Sequence, residues 1–91
     1  MAGIVAVIVK VMPESSDSNL GRVKAEAMRV LSDEGAQNIS FELKDVAFGL
    51  KALMIKFAWP EDKDSSIYED KLIEIEDVSS VSTEDYRRAF G

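Results

Sequence analysis

The chain contains no cysteine and no histidine. Without thiolates there is neither a disulfide framework nor a sulfur-based metal site, and without imidazole the usual nitrogen ligand is missing, so structural zinc is excluded. The lack of histidine also removes the ordinary base of a serine triad, which leaves the many serines as caps and turn formers. Glycine is scarce. Only five occur in 91 residues, and none falls in a GxxxxGK[ST] or GxGxxG pattern, so no phosphate loop binds a nucleotide here. Long apolar runs are missing too. Ile4 to Val9 spans six residues, against about 7 to 15 for a signal-peptide core, and no basic segment precedes it. A membrane-spanning helix needs about 20. The expected location is cytoplasmic, with no membrane contact. The lack of cysteine suits a reducing compartment but fits others equally.

Positive charge is the minority: 11 lysines and arginines face 17 acidic residues, for a net charge of −6. DNA and RNA are bound mainly through basic surfaces, so direct nucleic-acid binding is not expected. An acidic surface instead favours association with a basic protein. Hydrophobic residues at 46% and charged residues at 31% are a globular composition, well outside the range of disordered chains. Ninety-one residues suit a single domain, 1–91, that buries roughly 60 to 65% of its unfolded surface.

Periodicity divides the chain into six elements. Gly3 to Met12 reads as a central strand, apolar on both faces as far as Val9 and stopped by Pro13. The polar loop Pro13 to Asn19 offers Ser18 or Asn19 as a helix cap. A helix then runs to about Ser32, with Leu20, Val23, Ala27, Val30 and Leu31 on one stripe and Gly35 as terminator. Ile39, Phe41 and Leu43 alternate with Ser40, Glu42 and Lys44, which marks a strand with one wet face. Between Leu50 and Trp59 the odd positions Leu53, Ile55, Phe57 and Trp59 are large and apolar, a third strand that follows a tight turn over Val46-Ala47-Phe48-Gly49. After Pro60 and Glu61 to Asp64, a second helix is expected over Ser65 to Glu76, capped by Ser65 or Ser66, with Ile67, Leu72, Ile75 and Tyr68 inward. Val78 to about Arg88 is the last strand.

The order β-α-β-β-α-β predicts an α+β, ferredoxin-like split β-α-β sandwich: a four-stranded antiparallel sheet, strands one and three central, with both helices on one face. Fold alone leaves function open. An RNA-binding sheet of this type needs a basic and aromatic motif, and the third strand reads Leu50-Lys51-Ala52-Leu53-Met54-Ile55-Lys56-Phe57 instead. Asp62, Asp64, Glu69 and Asp70 lack EF-hand spacing and read as a solvated loop and the acidic start of a helix. Trp59 reads as a packing residue.

Two features stand out. Phe48 occupies a turn where polar residues are usual, so its ring either points outward or folds over the sheet edge. The end of the chain, Tyr86-Arg87-Arg88-Ala89-Phe90-Gly91, places two guanidinium groups on an otherwise acidic protein, either as a cationic contact or as solvated arginines.

The segments Val11-Met12-Pro13-Glu14-Ser15, Val46-Ala47-Phe48-Gly49-Leu50-Lys51-Ala52-Leu53, and Val78-Ser79-Ser80-Val81 with Asp85-Tyr86-Arg87-Arg88 resemble archaeal elongation factor 1-beta. The resemblance runs in register over nearly all of the chain. It covers the exchange domain and none of the N-terminal extensions of the eukaryotic relatives. It implies a guanine nucleotide exchange factor, which makes and breaks no bond and carries no cofactor. The implied partner is elongation factor 1-alpha, a GTPase that releases GDP and takes up GTP during protein synthesis. It further implies contact through Phe48 and Gly49, and through Arg87 and Arg88, with Arg88 at the place of a lysine that in eukaryotic relatives enters the magnesium and phosphate region. Arginine there departs from the lysine pattern and forks its donors. Three rival readings come from other classes: a small-molecule-binding regulatory module of the same fold, a structural subunit that uses the open sheet face, and an acylphosphatase-like hydrolase. The last wants an arginine in the loop after strand one, where Pro13-Glu14-Ser15 is acidic.

Overall fold

A computed structural model describes residues 3–46 and 49–88. The elements follow the expected order: β1 (Ile4–Pro13), α1 (Leu20–Asp33), β2 (Gln37–Asp45), β3 (Lys51–Pro60), α2 (Ser65–Ile73) and β4 (Val78–Arg88). The strands form one sheet in the order β2-β3-β1-β4, and every neighbouring pair is antiparallel. The two apolar strands therefore hold the centre, as their composition requires. This is the ferredoxin-like arrangement.

Successive residues of a strand point to opposite faces. In β1 the odd residues Val5, Val7, Val9 and Val11 are fully buried, and Leu53, Ile55, Phe57 and Trp59 of β3 join them. Val23, Ala27 and Leu31 from α1 and Tyr68 and Leu72 from α2 close the same core. Both helices thus cover one face. The other face carries the even residues of β1 and β3. At the centre of the core, Phe57, Trp59 and Tyr68 meet edge to face, with ring centroids 5.1–6.0 Å apart, the geometry that aromatic quadrupoles favour. Burial pushes the Tyr68 hydroxyl pKa above its ordinary value. That hydroxyl sits 3.0 Å from Thr83 Oγ1, which donates onward to Glu69 Oε2 at 2.8 Å.

The helix ends differ partly from expectation. Asn19 caps α1 by accepting from the Arg22 backbone N–H at 3.1 Å. Gly35 ends the helix at φ +96°, while Gly35 N–H and Ala36 N–H donate to the carbonyls of Ser32 and Leu31. A left-handed residue just past the last turn is what lets those carbonyls be satisfied. In α2 the cap is Asp64, not Ser65 or Ser66, because its carboxylate reaches the Ser66 N–H at 2.9 Å. The helix stops at Ile73 rather than Glu76. Ile75, beyond its end, still packs against the core from the connecting turn. Leu43 lies on the covered side of β2 in register with Leu53, yet it is 52% exposed. At this outer edge the wall it shares with Leu20, Gly21, Lys24 and Phe41 is a shallow, open groove.

Candidate functional site

Two places carry the residues singled out by sequence, and the sheet topology separates them. β2 and β3 run into their connecting turn at one end of the sheet. β4 runs the other way, so its last residues lie beside the start of β1 and the end of β3. Gly49 and Arg88 are thus about the length of β3 apart, ten residues or roughly 30 Å at ~3.3 Å per residue. The whole molecule is 44 Å long and 22 Å by 19 Å across.

At the turn, the Val46 N–H donates to the Leu50 carbonyl at 3.0 Å. Gly49 sits at φ +74° with no atom within 4 Å of where a Cβ would stand. Glycine is required there by backbone conformation, not by crowding. Phe48 lies outside the described residues.

At the other end the period of two in β4 has a consequence for the arginines. Arg88 is in register with Val5 and Arg87 with Ala6, and opposite residues of a ladder share a face. Arg88 therefore lies on the helix-covered side and Arg87 on the bare side. Both are exposed, and each is matched to a carboxylate. Arg87 Nε donates to Asp85 Oδ1 at 3.1 Å, while Arg88 Nη2 stands 2.6 Å from Glu61 Oε1. Glu61 follows β3 directly and is anchored by its N–H to the Gly3 carbonyl at 2.9 Å.

Val5, the ladder partner of Arg88, pairs on its other side with Trp59 of β3. Trp59 is fully buried and its indole N–H donates to the Lys63 carbonyl at 3.1 Å. The Lys63 ammonium lies over the Trp59 ring, 5.3 Å from its centroid. It also pairs with the Glu34 carboxylate and donates to the Glu34 carbonyl at the end of α1, where the helix dipole favours a cation. Sequence reasoning missed Glu61, Lys63 and Glu34 as neighbours of this end. The one available clue was that Glu61 and Lys63 come immediately after the strand that pairs with β1 and that Glu34 ends α1.

Asp62, Asp64, Glu69 and Asp70 do not converge. Asp64 caps α2 and Glu69 accepts from Thr83, and among the described residues no three acidic side chains gather as a metal site would require. A surface depression lies between α1 and α2. It is lined by charges of both signs, including Arg22, Glu26, Arg29 and Glu74, and is open to solvent.

Comparison with known proteins decides among folds that look alike. The sequence profile described as the EF-1 guanine nucleotide exchange domain matches residues 6–88, from within β1 to the last residue of β4. The chain belongs to that family. Several relatives named elongation factor 1-beta align along almost their whole length. That of Halobacterium salinarum is 38% identical over 85 residues, covering 92% of this chain and 96% of the relative. That of Methanocella arvoryzae is 35% identical over 91 residues, covering 99% and 100%. That of Staphylothermus marinus is 33% identical over 86 residues, covering 92% and 94%. Among the described residues no helix is long and apolar enough to cross a membrane.

Proposed function

We propose that this protein promotes release of GDP from elongation factor 1-alpha, and so its reloading with GTP. The observation that carries the reading is the match to an EF-1 guanine nucleotide exchange domain across residues 6–88, on a surface whose β4 end presents arginine. No covalent chemistry is involved, and the chain supplies no cofactor.

Exchange of this kind is a coupling between two binding equilibria. A factor that prefers the nucleotide-free GTPase weakens nucleotide binding by the same ratio by which nucleotide weakens factor binding. The chemistry asked of the factor is therefore to compete for what the nucleotide holds. A guanidinium carries a permanent positive charge and a planar fork of donors suited to phosphate oxygens and carboxylates. Arg88, exposed at a strand end that is itself anchored to the core, brings such a group without needing a loop to order first. Arg87 faces the other side of the sheet, so it serves as a flanking contact while Arg88 takes the central role. Phe48 and Gly49 form the second contact. With the two some 30 Å apart by strand geometry, the GTPase is engaged along the length of the sheet.

A binding experiment tests this reading. Immobilised factor is expected to retain elongation factor 1-alpha stripped of nucleotide and to lose it when GDP and magnesium are added. Equal retention in both conditions would contradict the coupling. A small-molecule-binding module, by contrast, would show a rise in melting temperature with its ligand and no GTPase present.

A further inference from the structure

We propose that Glu61 is a positioning residue for Arg88, holding the guanidinium in the orientation in which it meets the negative groups of the bound nucleotide site; this builds on the exchange reading above. The backbone of Arg88 is fixed by the β1 ladder opposite Val5, but its side chain has four rotatable bonds and is 63% exposed. Left alone, such a side chain samples many rotamers, and ordering them opposes binding. Glu61 removes that freedom. Its own place is set by Pro60 before it, by the N–H bond to Gly3 at 2.9 Å, and by burial of most of its side chain, which is 29% exposed. Its Oε2 is buried and has no hydrogen-bond partner among the described residues. The pair with Arg88 through Oε1 is therefore the polar contact that the described residues give this largely buried carboxylate, and leaving it unpaired would be costly, which favours the orientation of Arg88 that keeps the pair.

The contact runs through Nη2 at 2.6 Å, at one end of a guanidinium that carries five N–H donors. Glu61 thus orients the fork while the exposed remainder faces solvent. Lys63, two residues after Glu61, is already committed to Glu34 and to the Trp59 ring, which among the described residues leaves Arg88 as the cation that the end of β4 presents on the helix-covered side. The opposite possibility, that Glu61 masks Arg88 and must be displaced, predicts the opposite sign for its removal.

The experiment compares four proteins, wild type, Glu61→Gln, Arg88→Ala and the double variant, by the catalysed release of fluorescent GDP from elongation factor 1-alpha over a range of factor concentrations. Glu61→Gln is expected to lower the maximal release rate about fivefold, with less than about a twofold change in the concentration giving half of the maximum, as for loss of an interaction made in the transition state. In the Arg88→Ala background it is expected to have no further effect, since coupled residues are not additive. Glu61→Asp, which keeps the charge but shortens the reach, is expected to fall between wild type and Gln. Release by Glu61→Gln as fast as wild type or faster overturns the proposal. An equal loss in both backgrounds also overturns it, because that marks a general structural role. If Arg88→Ala itself exchanges like wild type, the role of Arg88 falls and the positioning role with it.

Discussion

The two ends of the sheet are built on different principles. The turn between β2 and β3 is closed by the Val46–Leu50 backbone bond and has a glycine at positive φ with open space around it. The β4 end lies beside a packed corner in which Trp59, Lys63 and Glu34 are joined by a hydrogen bond, an aromatic face and an ion pair, and Arg88 pairs separately with Glu61. The described residues of the turn are held by one backbone bond and a left-handed glycine, whereas the strand end pairs its charge with a carboxylate that follows the neighbouring core strand. Substitutions at the turn should therefore change contact with little effect on stability. At the strand end the two are separable only at the outermost residue.

The largest effect tests the packed end. Trp59→Ala removes a fully buried indole from an aromatic triad and is expected to cost about 3–5 kcal/mol, a large part of a small domain's stability. Chemical denaturation would measure it, and a loss under about 1 kcal/mol would mean that the core does not depend on this end. Next comes Arg88→Ala. Its side chain is mostly exposed, so its melting curve should stay close to wild type while the maximal rate of GDP release drops at least about tenfold, the scale of losing a hydrogen bond to a charged group worth about 1.5–3 kcal/mol. Phe48→Ala is expected to slow release severalfold with an unchanged melting temperature, which stopped-flow and thermal melts together would check. An equal loss of stability would place the turn with the packed class. Gly49→Ala puts a Cβ into a left-handed backbone and is expected to destabilise by about 1 kcal/mol. Nothing is close enough to clash, so a larger loss would contradict the open geometry.

The smallest effect is electrostatic and lies at α2. The Ser66 N–H holds the Asp64 carboxyl below its ordinary pKa of 3.8. A pKa lower in the folded than in the unfolded chain adds stability that is fully present above the unfolded value and is lost as pH falls through the folded one. Asp64→Asn keeps a cap but removes the titration, so its melting temperature should fall less than that of wild type below about pH 4. Parallel acid profiles would exclude the cap as the source.

Much of the fold was legible because its signals are local. The alternation of Val5 to Val11 and of Leu53 to Trp59 places four side chains from each strand into one core, and Val23, Ala27 and Leu31 follow the period of a helix. The errors have physical causes. Asp64 outcompetes the serines as a cap because its carboxylate reaches past its neighbour to the Ser66 N–H. Ile75 looked helical because it is partly buried, but a turn can bury it as well. Leu43 obeys the strand period, yet no periodicity says how far a helix covers an edge strand. For the site, the opposite facing of Arg87 and Arg88 was implicit in the two-residue period of β4. The pairing of Arg88 with Glu61 was not, because it joins residues far apart in sequence through strand neighbours that only the register defines. The separation of Gly49 from Arg88 follows from topology once the strand order is known.

The central claim is that a cationic strand end and the β2–β3 turn at opposite ends of one sheet together loosen a GTPase's hold on its nucleotide. Stopped-flow measurement of fluorescent GDP leaving elongation factor 1-alpha, with unlabelled GTP in excess and this protein at a small fraction of the GTPase concentration, tests it most directly. Complete release at a rate that rises in proportion to the added protein is the predicted result. A rate that stays at its intrinsic value even when the protein is raised to excess would contradict the account.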